Sequence, residues 1–213
     1  MKRKWMVLGM TMVMLSGLTA CAGKSEQQAE AAVEEQQAET IIDTAQKDLE
    51  NMLPLTDAVM RCLLEQSYTY TPEDPQVFWR MIYYATPEFS DQAVIDGDAM
   101  ELPVSAVERI AAALYSGYQG LPDISAVHDD RIGYNAEKDT YSFGLGDRGL
   151  SDYEMMNFVT NEDGSVTMKV RLFDVTDDTT ICEGTFVLQK NNGDDEHYKY
   201  AISSAEIDVK LWG

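Results

Sequence analysis

The sequence Val166-Thr167-Met168-Lys169-Val170-Arg171-Leu172 alternates apolar and more polar side chains without a break. A period of two residues is typical of a β-strand that buries one of its faces. The turn signal Asn161-Glu162-Asp163-Gly164 stands before this stretch, and Phe158 stands before the turn. This part of the chain therefore predicts a strand that pairs with the preceding strand through a tight connection.

Similar alternation recurs on both sides of this hairpin. Residues 135–139 and Asn191-Asn192-Gly193-Asp194 are the further turn signals. The alternating residues that mark the other strands are Ile132 and Tyr134; Tyr141, Phe143 and Leu145; Cys182, Gly184, Phe186 and Leu188; and Tyr198, Tyr200 and Ile202. Because consecutive strands with short connections usually pair as neighbours, the second half predicts an antiparallel meander of about six strands.

The first half of the chain repeats with a helical period instead. Apolar residues at i, i+3, i+4, i+7 and i+8 mark one helix at Leu55, Ala58, Val59, Cys62 and Leu63. Asp74-Pro75 is a capping residue followed by proline at the first helical position, and this helix must end before Pro87. A third helix is predicted to begin near Pro103.

Helices followed by strands predict an α+β fold, with the N-terminal helices packed on one face of the antiparallel sheet. In element order, residues 42–211 are similar to the cystatin-like and NTF2-like arrangement, in which a curved sheet wraps helices. This similarity concerns element order, so it assigns no functional residue.

The N-terminus has the pattern of an export signal. Lys2, Arg3 and Lys4 precede an apolar run that ends in Leu18-Thr19-Ala20-Cys21. The last four residues resemble the lipobox of bacterial lipoproteins, which implies cleavage before Cys21 and acylation of its thiol. The run is shorter than the roughly 20 residues that a membrane-spanning helix needs. The resemblance implies a lipid-anchored protein of the cell membrane that faces outside the cytoplasm.

Residues 22–40 are rich in Ala, Glu and Gln and hold almost no large apolar side chain. Such a segment cannot bury enough surface to fold independently. The predicted organisation is therefore a signal peptide at 1–20, an acylated cysteine with a flexible or partly helical linker at 21–40, and one α+β domain at 41–213. Tyr141 to Asp147 also resembles the Tyr-x-Phe-Gly-x-Gly-Asp segments of small lipoproteins from Gram-positive gut bacteria, a group with no activity to transfer.

The charge of the chain argues against a nucleic-acid partner. The net charge is −21, and removal of three basic residues with the signal peptide makes it −24. Phosphate backbones repel such a chain. The two cysteines of the domain, Cys62 and Cys182, are each predicted to be unpaired, because one lies on a helix core face and the other in a strand. A disulfide between them, which an exported compartment permits, is the alternative.

No motif predicts a catalytic centre, a cofactor or a metal. Gly144 to Gly149 matches G-x-G-x-x-G but lies within antiparallel strands rather than between a strand and a helix. His128-Asp129-Asp130 are consecutive residues without a metal-ligand spacing, and the acidic loops at 174–178 and 194–196 do not follow a calcium-loop pattern. Cys182 and His197 are too far apart in the expected register to form a dyad.

Aromatic residues concentrate in the helical half and define a possible pocket. They are Tyr68, Tyr70, Phe78, Trp79, Tyr83 and Tyr84. The function expected from these observations is a monomeric, surface-tethered module that binds a small molecule or a protein. A cell-envelope hydrolase of an unrecognised kind is the alternative.

Overall fold

A computed structural model describes residues 45–66, 69–146, 149–191 and 195–210 and contains helices together with two antiparallel sheets. The helices, after a helical segment at residues 45–50, are α1 (Leu53–Gln66), α2 (Pro75–Ala85) and α3 (Val104–Leu114), and short 3-10 helices span Thr86–Gln92 and Ile124–Ala126. The predicted signal peptide and linker lie outside the described residues.

Helix α2 begins where the sequence predicts it. The carboxylate of Asp74 accepts a hydrogen bond from the backbone N–H of Gln76 at 2.8 Å, and Pro75 occupies the first turn. This satisfies one of the free N–H groups that every helix start exposes. The helix ends at Ala85, before Pro87, so both predicted boundaries are confirmed. Helix α3 starts directly after Pro103, as predicted.

The first sheet has the strand order β1-β2-β4-β3. Its strands are β1 (Val94–Asp96), β2 (Ala99–Pro103), β3 (Ile132–Asn135) and β4 (Thr140–Gly144). Met100, Phe143 and Ile132 lie opposite one another in the register and are all buried, so one face of this sheet belongs to the core.

The second sheet is a meander with the order β5-β6-β7-β8. Its strands are β5 (Ser151–Thr160), β6 (Val166–Asp174), β7 (Thr180–Lys190) and β8 (Tyr200–Val209). The predicted turn before β6 is present, with Gly164 at φ +80°. The alternating residues from Val166 to Leu172 form β6, whose core face pairs with β7 through Val170 opposite Gly184.

The predicted α+β class is confirmed, and the strands are divided between two sheets of four. Strand β4 pairs with β3 on one edge and with β2 on the other. Both edges of β4 are therefore occupied, so β5 cannot pair with it, and β5 instead begins the second sheet. The sequence prediction did not include β1 and β2, which lie between α2 and α3.

Helix α1 covers one face of the second sheet and also contacts α2. Its approach to β7 is close, because a Cβ atom added at Gly184 would lie 2.9 Å from Met60 Sδ. Helix α3 contacts β2, β4 and β8, and thus joins the two sheets. Tyr70 reinforces this junction, since its hydroxyl lies 2.7 Å from Leu114 O and 3.0 Å from Ile202 O.

Candidate functional site

A cleft of about 230 Å³ opens where α1, α2 and the first sheet meet. We call it the arginine–tyrosine cleft; the lining residues that define it are Arg61, Glu65, Tyr83, Tyr84, Met100 and Arg131. Phe143 and residues 144–146 complete its walls. The cleft therefore combines charged, aromatic and apolar groups in one place.

The floor of the cleft is apolar. Met100 and Phe143 are opposite each other on β2 and β4, and their side chains are buried. The chain after β4 passes close to α2, since a Cβ atom added at Gly146 would lie 2.9 Å from Tyr83 Oη. A residue with a side chain cannot pass at this distance without a shift, so Gly146 allows the close approach.

Arg131 forms a charged wall. Its guanidinium carbon lies 4.8 Å from the centre of the Tyr83 ring, within the range of a cation–π contact. Its Nε and Nη2 donate to the two carboxylate oxygens of Asp129 at 3.2 and 3.3 Å. The pKa of Arg131 is raised, chiefly by this hydrogen-bonded contact, so the side chain stays charged.

Asp129 is shared between two arginines. Arg80 Nη1 lies 2.5 Å from Asp129 Oδ2, the oxygen that also accepts the hydrogen bond from Arg131 Nη2. Burial raises the pKa of the Asp129 carboxyl, but the hydrogen bonds from Arg131 and the two nearby guanidinium charges outweigh it and hold the pKa below its usual value. One carboxylate thus faces two cations. The three side chains of Arg80, Asp129 and Arg131 together carry a surplus positive charge beside the cleft.

Arg61 has a different role. Its Nε contacts both oxygens of Asp57, at 2.8 and 2.9 Å, and its Nη1 donates to Ser151 Oγ at 2.9 Å. The Asp57 side chain is fully buried and that of Arg61 is 7% exposed. The ion pair lies within α1, and the hydrogen bonds from Arg61 to Ser151 connect this helix to the start of β5. We therefore regard Arg61 as a structural wall of the cleft.

The mouth of the cleft holds a carboxylate. The hydroxyl of Tyr84 donates to Glu65 Oε2 at 2.6 Å, and Glu65 is exposed. The rings of Tyr83 and Tyr84 meet edge to face with their centres 5.3 Å apart. The adjacent tyrosines therefore lie between the Arg131 wall and the Glu65 rim.

The six predicted pocket residues are distributed over different parts of the fold. Tyr83 and Tyr84 line the arginine–tyrosine cleft. Phe78 and Trp79 are core residues in edge-to-face contact at 5.5 Å, and Tyr70 joins α3 to β8. Tyr68 lies outside the described residues. That the aromatic group binds a ligand stays a prediction.

Sequence reasoning missed the arginines of this site. Arg61 and Arg131 come from a helix and from the entry to β3, seventy residues apart, and neither belongs to a motif. The one hint in the sequence is composition. Basic residues are outnumbered by acidic ones, 16 to 37, but this ratio does not indicate which arginine lies at a site.

Cys62 and Cys182 are both buried and unpaired, which confirms the prediction for these two cysteines. Burial raises the pKa of Cys62 to about 12 and that of Cys182 to about 11. Cys182 pairs with Val209 at one end of β8, whereas His197 precedes Tyr200 at the other end, about 30 Å away at ~3.4 Å per residue. The thiol and the imidazole are thus kept apart.

Within the described ranges, no group of three or more histidine, cysteine or acidic side chains converges as a metal site would require. Asp129 is committed to its ion pairs, and Asp178 accepts a hydrogen bond from Arg171 at 3.0 Å. Asp147 and Arg148 of the glycine motif are outside the described part. No helix in that part is long and apolar enough to cross a membrane.

A second depression lies beside α3 and is more open than the cleft. Arg109 lines it, but its Nε is bound to Asp195 and its guanidinium carbon lies 5.4 Å from the centre of the Tyr198 ring. This cation is neutralised by its partner. The arginine–tyrosine cleft is consequently the better candidate site.

Comparison with known proteins gives no further guide: no protein-family model, curated protein or solved structure matches the chain.

Proposed function

We propose that this protein is a lipid-anchored, extracytoplasmic binding module whose ligand site is the arginine–tyrosine cleft. The observation that carries the proposal is the cleft itself, where Arg131, the paired tyrosines and an apolar floor converge on about 230 Å³ of open space. A mostly apolar concavity with a few convergent polar groups is the usual form of a small-molecule site.

The anchor is supported by the sequence. Leu18-Thr19-Ala20-Cys21 follows a basic start and an apolar run, and the Ala/Glu/Gln-rich segment behind it supplies a tether. A tether of 19 residues reaches about 60 Å when extended. The binding domain would thus work clear of the membrane surface, which suits capture of a compound that diffuses in the envelope.

Binding fits the geometry of the cleft better than hydrolysis does. Of the lining residues that the structure describes, Glu65 is the one carboxylate, and it accepts a hydrogen bond from Tyr84. General acid–base hydrolysis uses a positioned base together with an acid or a nucleophile. The alternative of an envelope hydrolase therefore has less support than a binding role.

Native mass spectrometry of the mature protein, purified from its own envelope, tests this proposal. We expect an additional non-covalent mass. Leu145→Trp places a large ring at the cleft and should remove that mass. Val159→Trp, a change at a similarly exposed position on β5, should retain it. Absence of a bound mass, or equal retention by both variants, would overturn the assignment.

A further inference from the structure

We propose that the ligand of the arginine–tyrosine cleft is a small monoanion with an apolar body, held by Arg131 through its negative group. This inference rests on the proposed function and names its ligand class. The charges around Asp129, the apolar groups of the cleft and the position of Glu65 favour this class.

Arg131 has hydrogen-bonding capacity to spare. A guanidinium carries five N–H groups in a planar fork. Two are used on Asp129, and a third points to Tyr83 Oη at the long distance of 3.5 Å. The side chain is 44% exposed, so its remaining N–H groups are open to a ligand.

The charge balance around Arg131 favours an anion. Asp129 is 3% exposed and is shared by Arg80 and Arg131, so the two cations are opposed by one buried carboxylate. A carboxylate on the ligand would oppose the second of these cations and form charge-assisted hydrogen bonds with Arg131. Arg61 does not contribute to this surplus, because Asp57 already neutralises it.

The apolar body of the proposed ligand would contact the apolar surface of the cleft. Ile95 is opposite Met100 in the β1–β2 register, so both side chains lie on the face that forms the cleft floor. Ile95 is nevertheless 53% exposed, and Leu145 at the cleft wall is 50% exposed. Burial of such side chains by a ligand is favourable in proportion to the apolar area removed from water.

The volume of the cleft and the negative charge of Glu65 at its rim restrict the class of ligand further. A space of about 230 Å³ corresponds to roughly eight water molecules at ~30 Å³ each, which is room for a small organic molecule. Glu65 stands at the rim as a negative charge, and like charges brought together in a cleft repel. A ligand with one negative group is therefore favoured over a dianion.

The test is a titration of the mature protein followed by NMR chemical shifts of the cleft residues. The probes are phenylacetate, its uncharged analogue phenylacetamide, and phenyl phosphate, which is largely dianionic at pH 7. We expect phenylacetate to bind about ten-fold more tightly than phenylacetamide, the ratio typical of one charged hydrogen bond. Phenyl phosphate should bind more weakly than phenylacetate.

Substitutions test whether Arg131 causes the difference in affinity between phenylacetate and phenylacetamide. Arg131→Gln should weaken phenylacetate about ten-fold and leave phenylacetamide unchanged. The matched control is Lys138→Gln, which removes an exposed cation paired with Glu101 on the same sheet and should change neither affinity. The comparison of probes on the unaltered protein still decides the question if the Arg131 variant does not fold.

Three results would overturn the inference: no cleft shift with phenylacetate, equal binding of acid and amide, or tighter binding of the phosphate. Each leaves the proposed function standing if the envelope-derived mass is still lost in Leu145→Trp. The two proposals therefore fail on separate measurements.

Discussion

Loss of the Asp57 charge should destabilise this domain more than any loss of a surface charge. Asp57 is fully buried, and both of its carboxylate oxygens contact Arg61 Nε within 2.9 Å. Asp57→Asn keeps the shape of the side chain but leaves the Arg61 guanidinium buried without its counter-charge. Breaking a buried pair in this way costs about 3–5 kcal/mol.

For a domain of this size, each 1 kcal/mol corresponds to about 2–4 °C in the melting temperature, so the expected fall is about 6–20 °C. The assay is thermal unfolding followed by circular dichroism, supported by urea unfolding. The matched control is Lys138→Ala, which breaks the exposed Lys138–Glu101 pair and should cost less than about 1 kcal/mol.

A double variant tests whether the unpaired buried charge causes the loss of stability in Asp57→Asn. Asp57→Leu combined with Arg61→Met removes both buried charges, and replacement of a buried pair by apolar side chains is often neutral. The double variant should therefore recover most of the stability that Asp57→Asn loses. A fall for Asp57→Asn no larger than that for Lys138→Ala would refute our view that Arg61 depends on the buried charge of Asp57.

The remaining predictions concern the anchor, the thiols and the linker. Mass spectrometry of the membrane fraction should find an acylated Cys21 at the N-terminus, and Cys21→Ala should release the protein or leave its precursor; unchanged retention with cleavage elsewhere would contradict the lipobox. Because burial raises the pKa of Cys62 to about 12 and of Cys182 to about 11, a thiolate-directed reagent at pH 8 should label neither in the folded protein, and both after denaturation without reductant; labelling of the native protein would show that the thiols are accessible. A chain starting at Ile41 should melt within a degree or two of one starting at Ala22, and a difference of five degrees or more would place residues 22–40 against the domain.

Local signals account for the parts of the fold that the sequence predicts well. Asp74-Pro75 and Pro87 bound α2 through capping and proline geometry, and neither depends on the rest of the chain. The alternation from Val166 to Leu172 likewise defines β6 because a strand buried on one face needs a period of two.

The division into two sheets depends on contacts between distant residues. Strand β1 has three residues and β2 has five, lengths at which alternation gives no clear signal. They become strands because β2 pairs with β4, forty residues further along the chain. That pairing occupies the free edge of β4 and separates the later meander from it.

The candidate site also depends on contacts that the sequence does not reveal. The aromatic density of α2 pointed to Tyr83 and Tyr84, which do line the cleft. Arg131 binds Asp129 two residues before it, and tertiary structure brings Arg80 of α2 to the same carboxylate. A single arginine in a sequence gives no indication that a second cation shares its carboxylate.

A crystal structure of the mature protein purified from its own envelope would test the central claim most directly. We expect non-protein density in the arginine–tyrosine cleft, with a negative group beside the Arg131 guanidinium and the rest of the ligand over Met100 and Leu145. Density for a ligand elsewhere on the domain, with water alone in the cleft, would contradict it.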